Sequence, residues 1–144
     1  MSPLDKKLVD SQRTLRRAIS CVGIGLHSGN KVQLSLKPAP VDFGIRFRRT
    51  DLGNHEVPAN VQHLAGIQLA TALSRNEVSV ETVEHLLSAL VSMGVDNVLI
   101  ELNSPEVPIM DGSAAPFIYL IQEAGLKAQA ARRKYLKEIG RAHV

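Results

Sequence analysis

The sequence contains no tryptophan, only one cysteine and only 3% aromatic residues. The single cysteine, Cys21, excludes an internal disulfide and a zinc site built from cysteines, and it favours a reducing, cytoplasmic compartment. The scarcity of aromatic side chains argues against a nucleic-acid partner, because proteins that bind single strands stack bases on aromatic rings. Although the net charge is +3, we interpret the basic residues as mostly solvated surface.

The sequence also lacks long apolar runs. No stretch approaches the roughly 20 apolar residues that a membrane-spanning helix requires, so we expect no transmembrane segment. The first residues lack the apolar core of a secretory signal, and residues 1–11 are polar and patternless, which predicts a flexible extension. Apolar residues make up 44% of the 144 residues, which is typical of one globular domain.

Strands are indicated by alternation of polar and apolar residues. Residues 31–37 alternate without error, and residues 43–48 alternate with arginines on the solvent side, so each segment predicts a half-buried strand. Residues 98–102 predict another strand, and residues 70–80 predict a short hairpin around Arg75 and Asn76. Residues 51–54 form a connection.

The period changes to that of a helix after Thr82. Apolar residues then recur at helical spacing, namely Val83, Leu86, Leu87, Leu90 and Val91. Thr82 is the predicted N-cap of this helix. Gly94 suits the left-handed conformation that often ends a helix.

A second helix is predicted over residues 114–124, capped by Ser113 and closed by Gly125. Residues 117–121 are all apolar or aromatic and therefore cover most of the helix circumference. A helix that is apolar all round is normally buried on every side, and one sheet cannot cover every face. We infer that both helices lie between their own sheet and something outside this chain; a self-sufficient packing of two helices is the alternative.

The adjacent pair Glu84 and His85 falls in the first turn of the first helix. An imidazole that binds a metal beside a carboxylate that acts as general base is the arrangement that H-E-x-x-H metalloproteases use. An exposed glutamate at a helix start beside a partly buried histidine is the structural alternative. Catalytic zinc usually has three protein ligands, and no other histidine has helical spacing to His85; His55 and His63 are expected to face solvent.

Two loops are further candidates for a site. Residues 23–29 form a glycine-rich connection that lacks the lysine and the following helix of a phosphate-binding loop. The loop is therefore either a bulged turn or a place where backbone approaches a ligand, with His27 beside it. Asp111 begins an Asp-Gly-Ser sequence that predicts an Asx turn leading into a helix cap, and support of an active site is its second interpretation.

These motifs together resemble the UDP-3-O-acyl-N-acetylglucosamine deacetylase family of Gram-negative bacteria, which acts in lipid A synthesis. The matching stretches are Gln-Arg-Thr-Leu (12–15), Gly-Ile-Gly-Leu-His-Ser-Gly (23–29), Thr-Val-Glu-His-Leu (82–86), Asp-Asn-Val-Leu-Ile-Glu (96–101) and Pro-Glu-Val-Pro-Ile-Met-Asp-Gly-Ser-Ala (105–114). The resemblance covers about residues 12–137 and follows the order and spacing of the family.

The resemblance implies an α+β fold in which this chain is a two-layer, sheet-plus-two-helices half of a β-α-α-β sandwich. It further implies a Zn²⁺ cofactor with His85 as one ligand, and Glu84 as the general base for hydrolysis of the N-acetyl group of UDP-3-O-acyl-N-acetylglucosamine. Leu26 and His27 would line the substrate cleft, and Asp111 would support it.

The sequence departs from the family because the C-terminal half, with the other zinc ligands, is missing. We therefore expect a first α+β domain over residues 12–137 that is inactive alone. Residues 138–144 resemble a translated sequencing adaptor and are interpreted as a non-native tail. The alternative function is a non-catalytic binding or assembly module that retains the scaffold.

Overall fold

The computed structural model describes residues 10–59, 72–75 and 78–133, with the backbone alone for residues 72–75. The strands are β1 (Ser11–Leu15), β2 (Ile19–Ile24), β3 (Lys31–Pro38), β4 (Ile45–Arg49), β5 (His55–Ala59), β6 (Ala72–Arg75), β7 (Val78–Glu81), β8 (Val98–Leu102) and β9 (Leu126–Arg132). The helices are α1 (Glu84–Ser92) and α2 (Ala115–Ala124). Most of the predicted N-terminal extension and the whole predicted tail lie outside the described residues.

The main sheet has the strand order β2-β3-β8-β4-β5 and is antiparallel except where β4 pairs with β8. Its central register places one apolar row across four strands, namely Leu36, Ile100, Phe47 and Val57. Each of these side chains is at most 1% exposed. This inner face carries the hydrophobic core together with α1 and α2, so the predicted α+β fold of a sheet with two helices is confirmed.

The outer face of the sheet carries charges instead. Arg48 lies 2.9 Å from a carboxylate oxygen of Glu56 and 3.6 Å from one of Glu101, and Lys37 also pairs with Glu101. The hydrogen bond from Arg48 holds the pKa of Glu56 below its usual range. The predicted solvent side of β4, which carries Arg48, is therefore confirmed. The strand itself begins at Ile45 instead of residue 43, because Gly44 adopts a left-handed conformation with φ of 75°.

Arg49 differs from the other arginines of β4 because it points to the inner face and is only 5% exposed. Its guanidinium donates to both carboxylate oxygens of Asp51 at 2.8 Å and to the Ser79 carbonyl oxygen at 2.8 Å. The expectation of a solvated surface is therefore wrong for Arg49. A buried cation needs such partners, because burial without them is costly.

The predicted hairpin is confirmed as β6 paired with β7. His55, at the start of β5, is half-buried and its Nε2 atom is buried without a hydrogen-bond partner among the described residues. The expectation that His55 faces solvent is therefore wrong, because its strand pairs with β4. His63 lies outside the described residues.

The start of α1 differs from the prediction. Thr82 has a φ of 60° and is buried, and the residue before the helix is Val83, which makes no side-chain cap. Thr82 is therefore not the N-cap, because its left-handed backbone turns the chain from β7 into the helix. The predicted role of Gly94 is confirmed, since its φ of 73° lies in the left-handed region just after α1.

The two helices bury one face each and leave apolar side chains on the other. In α2, Phe117 and Ile121 are at most 1% exposed, whereas Tyr119 is 69% exposed. In α1, Val91 belongs to the predicted apolar stripe and yet is 45% exposed. In the described residues no helix has the length and apolar character needed to cross a membrane. The sheet therefore covers only one face of the helical layer.

A buried amide joins the short β1-β9 ribbon to the main sheet. The Asn97 side chain donates to Oε1 of Gln12 at 2.9 Å and to Oε1 of Gln129 at 2.7 Å. Its own Oδ1 accepts the N–H of Gly44 at 2.9 Å. Because a buried amide needs all of these partners, this network sets the position of the ribbon.

Candidate functional site

The segment of residues 104–111 lies between the end of β2 and the end of β7. The N–H of Glu81 donates to the Pro105 carbonyl oxygen at 2.7 Å, and the N–H of Val107 donates to the Glu81 carbonyl oxygen at 3.0 Å. On the other side, the N–H of Ile109 donates to the Ile24 carbonyl oxygen at 3.0 Å. The segment thus brings the start of α1 close to the glycine-rich loop that follows β2.

Glu84 and His85 are half-buried in the first turn of α1. The Oε2 atom of Glu84 is buried and has no hydrogen-bond partner among the described residues. Such an orphaned acceptor is costly, and it is expected where a carboxylate accepts a proton or faces a ligand. The N-terminus of the helix also favours a negative charge at this position.

Asp111 is exposed at the end of the segment of residues 104–111. Its Oδ1 accepts the Ser113 N–H at 2.9 Å and the Ser113 hydroxyl at 2.6 Å. These hydrogen bonds, with His85 a minor cause, hold the pKa of Asp111 below its usual range. The predicted Asx turn is confirmed. Ser113 in turn accepts the N–H of Ala115 at 3.3 Å, and α2 begins there, one residue later than predicted.

Leu26 and His27 lie at the surface in the glycine-rich loop between β2 and β3. Leu26 is 56% exposed, which is unusual for a leucine in an otherwise polar turn. The loop is closed by the N–H of Gly29, which donates to the Gly25 carbonyl oxygen at 2.9 Å. Both predicted substrate-lining side chains are therefore accessible to a ligand.

Glu106 reaches this loop from the segment of residues 104–111. It is only 2% exposed, and its carboxylate accepts the N–H of Ser28 at 3.0 Å and the N–H of His27 at 3.1 Å. Burial raises the pKa of Glu106, but the hydrogen bonds from Ser28 and His27 outweigh burial, and the net shift is downward. The carboxylate is therefore held as an anion beneath the loop.

Three side chains converge at this point. Ligand atoms of His27, Glu81 and Glu106 lie within 4.8 Å of one another, which is close enough to hold a metal ion. His27 and Glu81 are exposed, whereas Glu106 is buried. This cluster does not include His85, so the site offers two separate groups of candidate ligands.

Two strained residues lie in the connections to the site. Thr82 and Met110 have φ values of 60° and 56°, which is uncommon for residues other than glycine and unfavourable for a β-branched one. Thr82 comes just before α1, and Met110 comes directly before Asp111. Strain of this kind is found preferentially at functional sites, so it agrees with a site at this edge.

Comparison with known proteins decides the family. Residues 12–143 match the LpxC family of UDP-3-O-acyl N-acetylglycosamine deacetylases. The chain belongs to this family. A UDP-3-O-acyl-N-acetylglucosamine deacetylase from Legionella pneumophila (strain Corby) is 52% identical over 127 residues, and one from Pseudomonas entomophila (strain L48) is 54% identical over 127 residues. In both cases the alignment covers 88% of this chain and 42% of the relative.

The chain therefore spans about two fifths of the length of the deacetylases that it matches. Within the described residues, the segment of residues 104–111 hydrogen-bonds to Glu81, which lies shortly before Glu84 and His85, and to Ile24, which lies shortly before Leu26 and His27. Asp111 is the last residue of this segment. Whether these residues act as the resemblance implies remains a prediction.

Sequence reasoning missed Glu106 and Glu81. Glu106 was quoted only as part of the family motif, although a lone carboxylate between prolines in an otherwise apolar run is a signal for a buried, hydrogen-bonded charge. Glu81 offered no such signal, because an exposed acidic residue at the end of a strand is ordinary surface.

Proposed function

We propose that this chain supplies the N-terminal part of a zinc-dependent deacetylase that hydrolyses the N-acetyl group of UDP-3-O-acyl-N-acetylglucosamine, the committed deacetylation of lipid A synthesis. The support is membership of the deacetylase family together with the names of the relatives, of which the chain covers 42%. The proposal includes a cytoplasmic location, and it assigns the remaining ligands to a C-terminal half.

The observation that carries the proposal is the orphaned Oε2 atom of Glu84 beside His85. The donor set fits zinc, because a neutral imidazole is a preferred zinc ligand and His85 is half-buried beside Glu84 in the first turn of α1. Zinc, when bound, polarises an amide carbonyl and favours ionisation of water. Glu84 then acts as general base, and its Oε2, which has no partner to release among the described residues, accepts the proton of the attacking water.

The accessible residues around this pair are assigned to the substrate. Leu26 offers an exposed apolar surface, which is suited to the acyl chain of the substrate. His27 presents its imidazole beside it, where polar groups of the sugar would bind. Asp111, held in its turn by Ser113, places a negative charge beside His85 and supports its orientation.

The chain alone does not provide a complete centre in this proposal. A catalytic zinc usually needs three protein ligands, and His85 is the one that we assign. The exposed Tyr119 and Val91 on the helical layer agree with a second α+β half that packs there and brings the missing ligands. We accordingly propose that residues 12–137 form the first domain and that residues 138–144 are a non-native tail.

A chimera tests the proposal. The 127 matched residues of this chain replace the matching region of the Legionella pneumophila relative, and we call this protein the chimera. We expect it to release acetate from UDP-3-O-acyl-N-acetylglucosamine and to bind one zinc ion, whereas the isolated chain binds zinc weakly and has no activity. A folded chimera without activity would contradict the proposal and would favour a non-catalytic assembly module, as would stoichiometric tight zinc binding by the isolated chain.

A further inference from the structure

The glycine-rich loop that carries Leu26 and His27 is closed by its own backbone hydrogen bonds between Gly25, Gly29 and Asn30, and it rests on one buried side chain from outside the loop. Leu26, His27 and Ser28 are all exposed, so apolar packing does not fix the loop. Glu106 is instead buried beneath it, and its carboxylate accepts the backbone N–H groups of His27 and Ser28. A charged acceptor forms stronger hydrogen bonds than a neutral one, so this carboxylate dominates the local structure.

The backbone of Glu106 is itself held on the side of α1. Its neighbours Pro105 and Val107 exchange hydrogen bonds with Glu81 of β7, and the chain enters α1 shortly after Glu81. The side chain of Glu106 therefore links the loop to the strand that leads to Glu84 and His85. Displacement of the Glu106 side chain would release the loop without touching the helix.

We propose that Glu106 is a positioning residue that sets the substrate-binding loop of residues 25–29, and with it Leu26 and His27, relative to Glu84 and His85. This inference rests on the proposed function, because it assigns substrate contact to Leu26 and His27. In this proposal Glu106 does not touch the substrate itself, because it is buried beneath the loop and only 2% exposed.

The alternative for the same side chain is that of a metal ligand, together with His27 and Glu81. The hydrogen bonds count against it. The Oε1 atom accepts from Ser28 at 3.0 Å and from His27 at 3.2 Å, and the Oε2 atom accepts from His27 at 3.1 Å. A carboxylate has about four lone-pair positions, and three contacts already use most of them.

The test begins with the isolated chain. Glu106→Ala should increase the amide hydrogen exchange rates of His27 and Ser28 by about tenfold or more, because the protecting acceptor is lost. Exchange in the middle of β3 should stay unchanged. Glu106→Gln keeps a side-chain oxygen as acceptor and should restore most of the protection. Equal protection in the wild-type chain and in Glu106→Ala would overturn the proposal, whether or not the chimera proves to be a deacetylase.

The second stage uses the chimera and separates positioning from general stability. Glu106→Ala should raise KM about tenfold and leave kcat within about threefold, with the zinc content unchanged; Glu106→Gln should bring KM back towards the wild-type value. A fall in kcat at constant KM, or the loss of a zinc ion, would overturn the proposal. An inactive wild-type chimera would instead remove the proposed function, and the exchange rates would still decide whether Glu106 sets the loop.

Discussion

The carboxylate of Glu106 occupies the place where a side-chain carbon on Gly25 would lie. A Cβ atom built on Gly25 would overlap Glu106 Oε1 and would approach the Ser28 hydroxyl oxygen to 2.6 Å. Glycine is therefore required at position 25 by the space that Glu106 fills and not by an unusual backbone conformation, since Gly25 is not among the residues with positive φ.

The first prediction concerns this contact. Gly25→Ala should destabilise the chain by about 2 kcal/mol or more, because either the loop or the buried carboxylate must move. Urea unfolding measures the change. Gly53→Ala is the matched control: Gly53 has a φ of 64° but open space around it, so it should lose only about 1 kcal/mol from backbone strain. Equal losses in the two variants would contradict the steric explanation.

The second prediction concerns the proposed general base. In the chimera, Glu84→Ala should lower kcat by about 10²-fold or more, as expected for loss of a general base, while the zinc content stays the same. Acetate release and metal analysis provide the two measurements. Glu123→Ala, which removes an exposed carboxylate from α2, is the control and should leave turnover unchanged. Unchanged turnover in Glu84→Ala would exclude Glu84 from the reaction.

The third prediction concerns the proposed zinc ligand. His85→Ala in the chimera should lower the affinity for zinc by at least about 10²-fold, because one of three protein ligands is lost. Metal analysis after dialysis against a weak chelator measures the loss. His27→Ala should retain the zinc, since we assign His27 to the substrate and Glu106 to the loop. If His27→Ala lost the zinc and His85→Ala retained it, the zinc site would have to be assigned to the cluster of His27, Glu81 and Glu106.

The fourth prediction concerns the ion pair between the buried Arg49 and the exposed Asp51. Hydrogen bonds from Arg49 hold the pKa of Asp51 below its ordinary value of 3.8. The carboxylate therefore contributes stability above pH 3.8 that is lost as the pH falls through the lower, folded-state pKa. Asp51→Asn should cost about 2 kcal/mol at neutral pH, and the difference from wild type should shrink below pH 3.8.

Unfolding of the wild-type chain and of Asp51→Asn, followed by circular dichroism at several pH values from about 7 to about 3, measures this difference. Glu56→Gln serves as the control, because Glu56 pairs with arginines on the solvated outer face and should cost less than about 1 kcal/mol. A constant difference between wild type and Asp51→Asn across this range would show that ionisation of Asp51 is not involved.

The fifth prediction concerns the uncovered side of the helical layer. The isolated chain should self-associate at high concentration, because exposed apolar side chains such as Tyr119 and Val91 tend to be covered. Tyr119→Ser with Val91→Ser should reduce association, as light scattering would show, without unfolding the chain. Phe117→Ser, at a position only 1% exposed, should instead unfold it. A wild-type chain that stays monomeric would count against a missing partner half.

Both helices and the strands β3, β4, β6, β7 and β8 could be predicted from the sequence, because their patterns depend on neighbours two to four residues away. The strands β1, β2, β5 and β9 were not predicted. The alternation over residues 31–37 predicted β3, and the helical stripe after Thr82 predicted α1. The error at the start of α1 has its cause in a backbone torsion. Thr82 carries a typical capping side chain, but its left-handed φ places it in the turn before the helix, and propensity alone does not predict such a torsion.

The candidate site, too, could be predicted from the sequence only in part. The adjacency of Glu84 and His85 and the family motif were sufficient to name the proposed base and ligand. They were not sufficient to show that the Oε2 atom of Glu84 is buried with no partner in the part of the chain that the structure describes, because burial depends on residues that are distant in the chain.

Sequence alone therefore determined the α+β composition, the family and the pair of side chains on which the proposed chemistry depends. Only the tertiary structure decided that Arg49 is buried while Arg48 is solvated, and that Glu106 holds the loop of His27 from 79 residues away. The physical reason is that the buried carboxylate of Glu106 accepts hydrogen bonds from backbone N–H groups. Nearly every residue has such a group, so the sequence does not reveal which N–H groups the carboxylate binds.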